Sequence, residues 1–149
     1  MADLRFRQTF SAVSCTAATV KTVAQVKAPT NQRVVIREIS ISFQGTTNTD
    51  APALVQLLRQ TTAGTMTAGT PVAVDDDNTE TIQSTTQYNA TVEPTAGNIL
   101  AEWYVHQQTG IIVPLSTIKP ICIKGGGRIG LRVTAGATVS SAGYLECEE

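Results

Sequence analysis

The sequence predicts an all-β protein, an antiparallel β-sandwich, and three observations carry that prediction. Apolar and polar residues alternate with a period of two, most clearly over residues 99–106, where Ile99, Ala101, Trp103 and Val105 share one face and Glu102, Tyr104 and His106 the other. Gly, Pro and Asn turn signals recur about every 8–12 residues. No segment shows a sustained helical period. About eight or nine short strands in two packed sheets make the jelly roll the simplest solution, with an immunoglobulin-like sandwich as its nearest competitor. The order Cys15, Trp103, Cys147 is that of an immunoglobulin domain, but the spacing is far too wide.

The elements follow in chain order. Over residues 4–10, Leu4, Phe6 and Gln8 alternate with Arg5, Arg7 and Thr9. Residues 1–19 therefore read as an N-terminal arm or first strand, and residues 20–149 as one sandwich domain. Residues 21–27 alternate Thr22, Ala24 and Val26 against Lys21, Val23, Gln25 and Lys27. Residues 33–43 place Ile39, Ile41 and Phe43 opposite Glu38, Ser40 and Ser42, and the parity of Val35 and Arg37 predicts a bulge near Arg37. Residues 45–52 read as a loop. In residues 53–60, Leu54, Val55, Leu57 and Leu58 would also suit a short helix, but eight residues between Thr and Gly favour a strand. The pattern fades over residues 61–95, which read as a long loop with a short strand near 87–92. Strands return at 99–106, 111–115, around Ile121 and Ile123, at 129–133 and at 139–147, with Gly125, Gly126 and Gly127 as a tight turn.

Composition narrows the function. The 149 residues suffice for one domain with a real core. A net charge of −1 argues against nucleic acid as a partner, which calls for clustered basic excess. No run is apolar enough to span a membrane, and the first ten residues lack the apolar core of a signal peptide, so assembly in a cytosol is expected. Cys15, Cys122 and Cys147 are odd in number and widely spaced, so free and mostly buried thiols are expected.

Little chemistry is on offer. His106 is the only imidazole, and no nucleophile elbow accompanies it. It stands too far along the chain from the cysteines for the close ligand pairs of zinc sites. Asp75, Asp76 and Asp77, with Asn78 and Glu80, supply carboxylates of the kind calcium uses, but not in a calcium-loop spacing; a solvated loop tip is expected. The glycines before Arg128 lead into a strand, whereas a phosphate loop leads into a helix. Glu102 has no partner carboxylate for a glycosidase dyad. At 5% aromatic residues, the chain is poorly equipped to stack on sugars or bases. No catalytic residue, metal or cofactor is therefore assigned. The alternating basic and apolar residues Arg5, Phe6, Arg7 and Phe10 fit either a charge-protected edge strand or an extended arm that adds to a neighbour's sheet.

Several segments taken together carry a family resemblance: the opening Phe10-Ser-Ala-Val13, the strand Arg33-Val-Val-Ile-Arg-Glu-Ile-Ser-Ile-Ser42, the Thr/Gly-rich middle, the Glu102-Trp103 strand, the glycine hairpin into residues 128–133 and the ending Tyr144-Leu-Glu-Cys-Glu148. The chain resembles the small all-β virion proteins of tailed bacteriophages, in particular head decoration (cement) proteins. That resemblance implies a jelly-roll-like homotrimer on the outside of an icosahedral head, clamping neighbouring capsomers of the major capsid protein. It implies no catalytic residues and no cofactor, and it makes Arg5, Phe6, Arg7 and Phe10 the candidate capsid contacts. A tail, neck or fibre domain of a phage and a carbohydrate-binding β-sandwich module are the alternatives.

Overall fold

The structure, a computed structural model, describes residues 4–46 and 51–149. Period-two alternation is answered by twelve strands among them: β1 (Arg5–Cys15), β2 (Val20–Lys27), β3 (Val34–Gln44), β4 (Ala53–Gln60), β5 (Thr65–Ala68), β6 (Val72–Ala73), β7 (Thr85–Val92), β8 (Ala96–Val105), β9 (Gly110–Pro114), β10 (Ile121–Ile123), β11 (Arg128–Thr134) and β12 (Val139–Glu148). They form two antiparallel sheets. The first runs β10-β3-β12-β1-β6, with β9 also on β3; the second runs β5-β7-β2-β11-β4-β8. The main pairings are nested: β1 with β12, β2 with β11, β3 with β9 and β10, and β4 with β8.

The core lies between the sheets. Phe6, Phe10, Ile36, Ile39, Ile41 and Leu145 come from the first sheet; Val26, Val55, Leu57, Ile129, Leu131 and Val133 come from the second. Each such side chain contributes about 1.5–3 kcal/mol through its removal from water. Buried Cys15 and Cys147 are free thiols within this core, and half-buried Cys122 is free on β10.

Of the two readings of the N-terminal residues, arm or first strand, the described residues show the strand. From Arg5 to Cys15, β1 pairs with β12, interrupted by a bulge between Phe10 and Val13 where Ala12 takes φ 53°. Phe6 and Phe10 point into the core because their parity matches the inner face of that sheet. The strand count also exceeds the eight or nine expected. Residues 61–95 hold the extra strands β5 and β6, together with β7, which answers the short strand expected near 87–92. β5 and β7 are Thr-rich and half-exposed and β6 has only two residues, so they offer little of the contrast by which strands are read.

Other expectations meet the structure directly. Residues 53–60 are a strand; β4 lies between β11 and β8, and Val55, Gln56, Leu57 and Leu58 are all buried, which is why the segment looked partly helical. The bulge near Arg37 is present: Glu146 faces Glu38 and Cys147 faces Ile36, so Arg37 is the extra residue on the β3 side. In β8 an unexpected bulge at Leu100 sets Ala101 against Leu57 and Ile99 against Leu58. Leu100 packs on the core and Ile99 is left 46% exposed, so the inner face starts one residue later than its alternation suggested. At the glycine turn only Gly126 has a positive φ, 73°, and Gly127 N–H donates to the Lys124 carbonyl at 2.8 Å. The loop expected over residues 45–52 lies partly outside the described residues.

Candidate interaction surfaces

The outer face of the first sheet is built by matching alternations. In β12, Tyr144, Glu146 and Glu148 share the outer parity; in β1, Arg5, Arg7 and Thr9 do, and the register sets Arg5 against Glu148 and Arg7 against Glu146. Arg7 Nε donates to Glu146 Oε2 at 2.7 Å, and its guanidinium lies 4.4 Å from the centre of the Tyr144 ring. Arg37, thrown outward by the bulge, grips Glu148 with two donors, Nε to Oε2 at 2.6 Å and Nη2 to Oε1 at 2.5 Å. Arg5 Nε adds a looser contact to Glu148 at 3.4 Å.

One juxtaposition in this ladder is unfavourable by itself. Glu38 and Glu146 are direct cross-strand neighbours, and like charges placed so repel. Each is occupied separately: Arg7 takes Glu146, and the Tyr144 hydroxyl donates to Glu38. The titration shifts follow these contacts. The Arg37 hydrogen bond holds the Glu148 carboxyl below the usual carboxylate range. Hydrogen bonding to Glu38 pushes the Tyr144 hydroxyl up, and Glu146 raises Arg7.

The outer face of the second sheet is mostly neutral. Arg132 donates to Gln56 Oε1 at 3.0 and 2.7 Å, and Gln56 Nε2 donates to Glu102 at 2.5 Å. Gln25 donates to Gln60, which donates to Thr22 Oγ1 at 3.1 Å. The Gln60 amide lies against Gly130, where a Cβ would stand 2.2 Å from its Oε1. Two carboxylates tie the 61–95 excursion down. Glu93 accepts from the Thr22 N–H and hydroxyl, and Glu149 accepts from the N–H groups of Gln83 and Ser84 and the Ser84 hydroxyl.

The residues singled out from the sequence fall as follows. Phe6 and Phe10 are buried in the core. Arg5 and Arg7 reach the surface but are held by Glu148 and Glu146. His106 sits in the exposed β8–β9 turn, where its Nδ1 accepts from Gln108 N–H at 3.2 Å. Glu102 ends the amide chain above. Asp75, Asp76, Asp77 and Glu80 form an exposed tip, with Asp75 Oδ1 accepting from Asp77 N–H at 3.1 Å. Among the described residues no group of His, Cys, Asp and Glu could hold a metal ion, and no helix is long and apolar enough to cross a membrane. Sequence reasoning missed Arg37, Glu38, Tyr144, Glu146 and Glu148 as one surface. The available signal was the shared alternation of residues 144–148 and 5–9.

By fold and surface the chain belongs to the class of two-sheet antiparallel β-sandwiches, with a charged outer face on one sheet and an amide-rich one on the other. No family model, curated protein or solved structure matches it.

Proposed function

We propose that this protein is a non-enzymatic structural virion protein: a decoration subunit that binds the outside of an icosahedral phage head, assembled in the host cytoplasm. Its partners on this reading are the major capsid protein and two further copies of itself. The observation that carries the proposal is the nested pairing β1–β12, β2–β11, β3–β9/β10 and β4–β8. That order supports a jelly roll, with β5, β6 and β7 as an insertion along one flank, and a jelly roll is the fold the sequence resemblance implies. A cementing role asks for rigidity and for many simultaneous contacts rather than one deep site. The cross-strand ion pairs on the first sheet and the carboxylate ties of Glu93 and Glu149 favour such rigidity.

The test is light scattering of the purified protein, with and without expanded, undecorated heads that lack tails. The expected result is a trimer that co-sediments with heads and raises their rupture temperature. A protein that ignores heads removes the decoration reading and turns the search to tail, neck and fibre parts.

A further inference from the structure

Eleven cationic and twelve acidic residues nearly cancel in this chain, yet they are not evenly mixed. Among the described residues the ion pairs are confined to Arg5, Arg7 and Arg37 with Glu146 and Glu148. Two groups stand apart from them. At the β10 flank, Arg33, Arg59 and Lys124 line a surface cleft of about 500 Å³ and all three are exposed. Arg59 Nη1 donates to the Cys122 carbonyl at 3.2 Å, and no described carboxylate lies within ion-pair distance of any of the three. At the opposite flank, just after β6, Asp75, Asp76, Asp77 and Glu80 are exposed on a tip and pair with no described cation.

These groups cannot neutralise each other within one molecule. The first sheet places β10 at one end and β6 at the other, four strand intervals apart. At about 4.8 Å per interval this is roughly 20 Å, well beyond the Debye length of about 8 Å at physiological ionic strength. They are matched in other respects. A protruding tip of carboxylates suits a cleft walled by two guanidinium forks and an ammonium group. Aliphatic side chains accompany both: Val72 and Val74 stand exposed just before the acids, and Ile118 three residues before β10.

We propose that the two flanks are the halves of a head-to-tail contact between copies of this chain, the 75–80 tip of one copy seating in the Arg33/Arg59/Lys124 cleft of the next. Such a contact is heterologous: each copy gives one half and receives the other, so copies join in a ring or an open chain. The contact stands apart from the decoration reading, since it needs no head.

The test is sedimentation equilibrium of the full chain in low and high salt, with two charge-reversed variants. Arg33→Glu/Lys124→Glu reverses the cleft, and Asp75→Lys/Asp76→Lys/Asp77→Lys reverses the tip. All five positions are exposed, and thermal unfolding checks that both variants remain folded. Wild type is expected to associate in low salt and to lose roughly tenfold or more of its association constant in high salt. Each variant alone is expected to be monomeric. Their equimolar mixture is expected to associate again, because each reversed half then meets a complementary one. A wild type that is monomeric in low salt overturns the proposal, as does an oligomer indifferent to salt or one that survives in either variant. So does association with heads but never with itself, which would give the cleft to an acidic surface of another protein. Loss of head binding with self-association intact would remove the decoration reading alone.

Discussion

The two sheets share a core but present different chemistry outward. The first sheet's outer face is a ladder of ionised groups, Arg5, Arg7, Arg37, Glu38, Glu146 and Glu148, tied across β1, β12 and β3. The second sheet's face is largely amide and hydroxyl, Gln25, Gln56, Gln60 and Thr22, with the Gln60 amide against Gly130. One face is held mainly by ion pairs and the other mainly by amide hydrogen bonds. They also differ in tolerance. In the first sheet the close approach at Gly143 is to backbone, since a Cβ there would stand 2.0 Å from the Ser40 carbonyl oxygen. In the second the close approach is to the flexible end of Gln60.

Breaking the comparison begins with those glycines. Gly143→Ala forces β12 away from β3 and is expected to cost about 3 kcal/mol, against about 1 kcal/mol for Gly130→Ala, where an amide swings aside. Urea unfolding of the two variants measures this, and equal losses would refute the contrast. Next comes Glu148→Gln, which takes the charge and one of the two acceptors from the Arg37 contact on a mostly buried side chain and is expected to cost about 1–2 kcal/mol. Glu102→Gln at the margin of the amide face is expected to cost under about 0.5 kcal/mol.

Acid then sharpens the picture. The folded state lowers the Glu148 carboxyl, so its stabilisation is complete above the ordinary glutamate range and is lost as pH falls through the folded value. Wild type should thus lose stability on acidification more steeply than Glu148→Gln; parallel curves would disprove the assignment. The smallest effect concerns thiols. Burial pushes Cys15 and Cys147 up and hides them from reagents. Ellman's reagent should label Cys122 quickly in the native protein and the other two only on unfolding. Rapid labelling of Cys15 or Cys147 would show that the core opens.

What the sequence made legible was mostly local. Alternation placed Ile39, Ile41, Ile129, Leu131 and Val133 on the inner face, and all five are buried. The parity break at Arg37 marked a real bulge. What escaped was pairing between distant segments. Alternation in residues 4–10 says which side chains share a face but not which strand lies alongside, so Phe6 and Phe10 could be read as contacts of a free arm. The Leu100 bulge escaped because an added apolar residue leaves no polar mark. The face of Arg7, Glu146 and Glu38 depends on a register set by residues more than a hundred positions apart.

The place of β12, between β3 and β1 in the first sheet, has a consequence for timing. The first and third strands are made early but are not each other's neighbours; the strand that joins them is the last to be synthesised of the twelve. At about 5–20 residues per second, translation leaves the early strands waiting for several seconds with the edges that β12 pairs still open. That sheet can close only after residues 139–148 have emerged, so the fold is completed late, and a nascent chain stopped short of them lacks the strand that unites its first sheet.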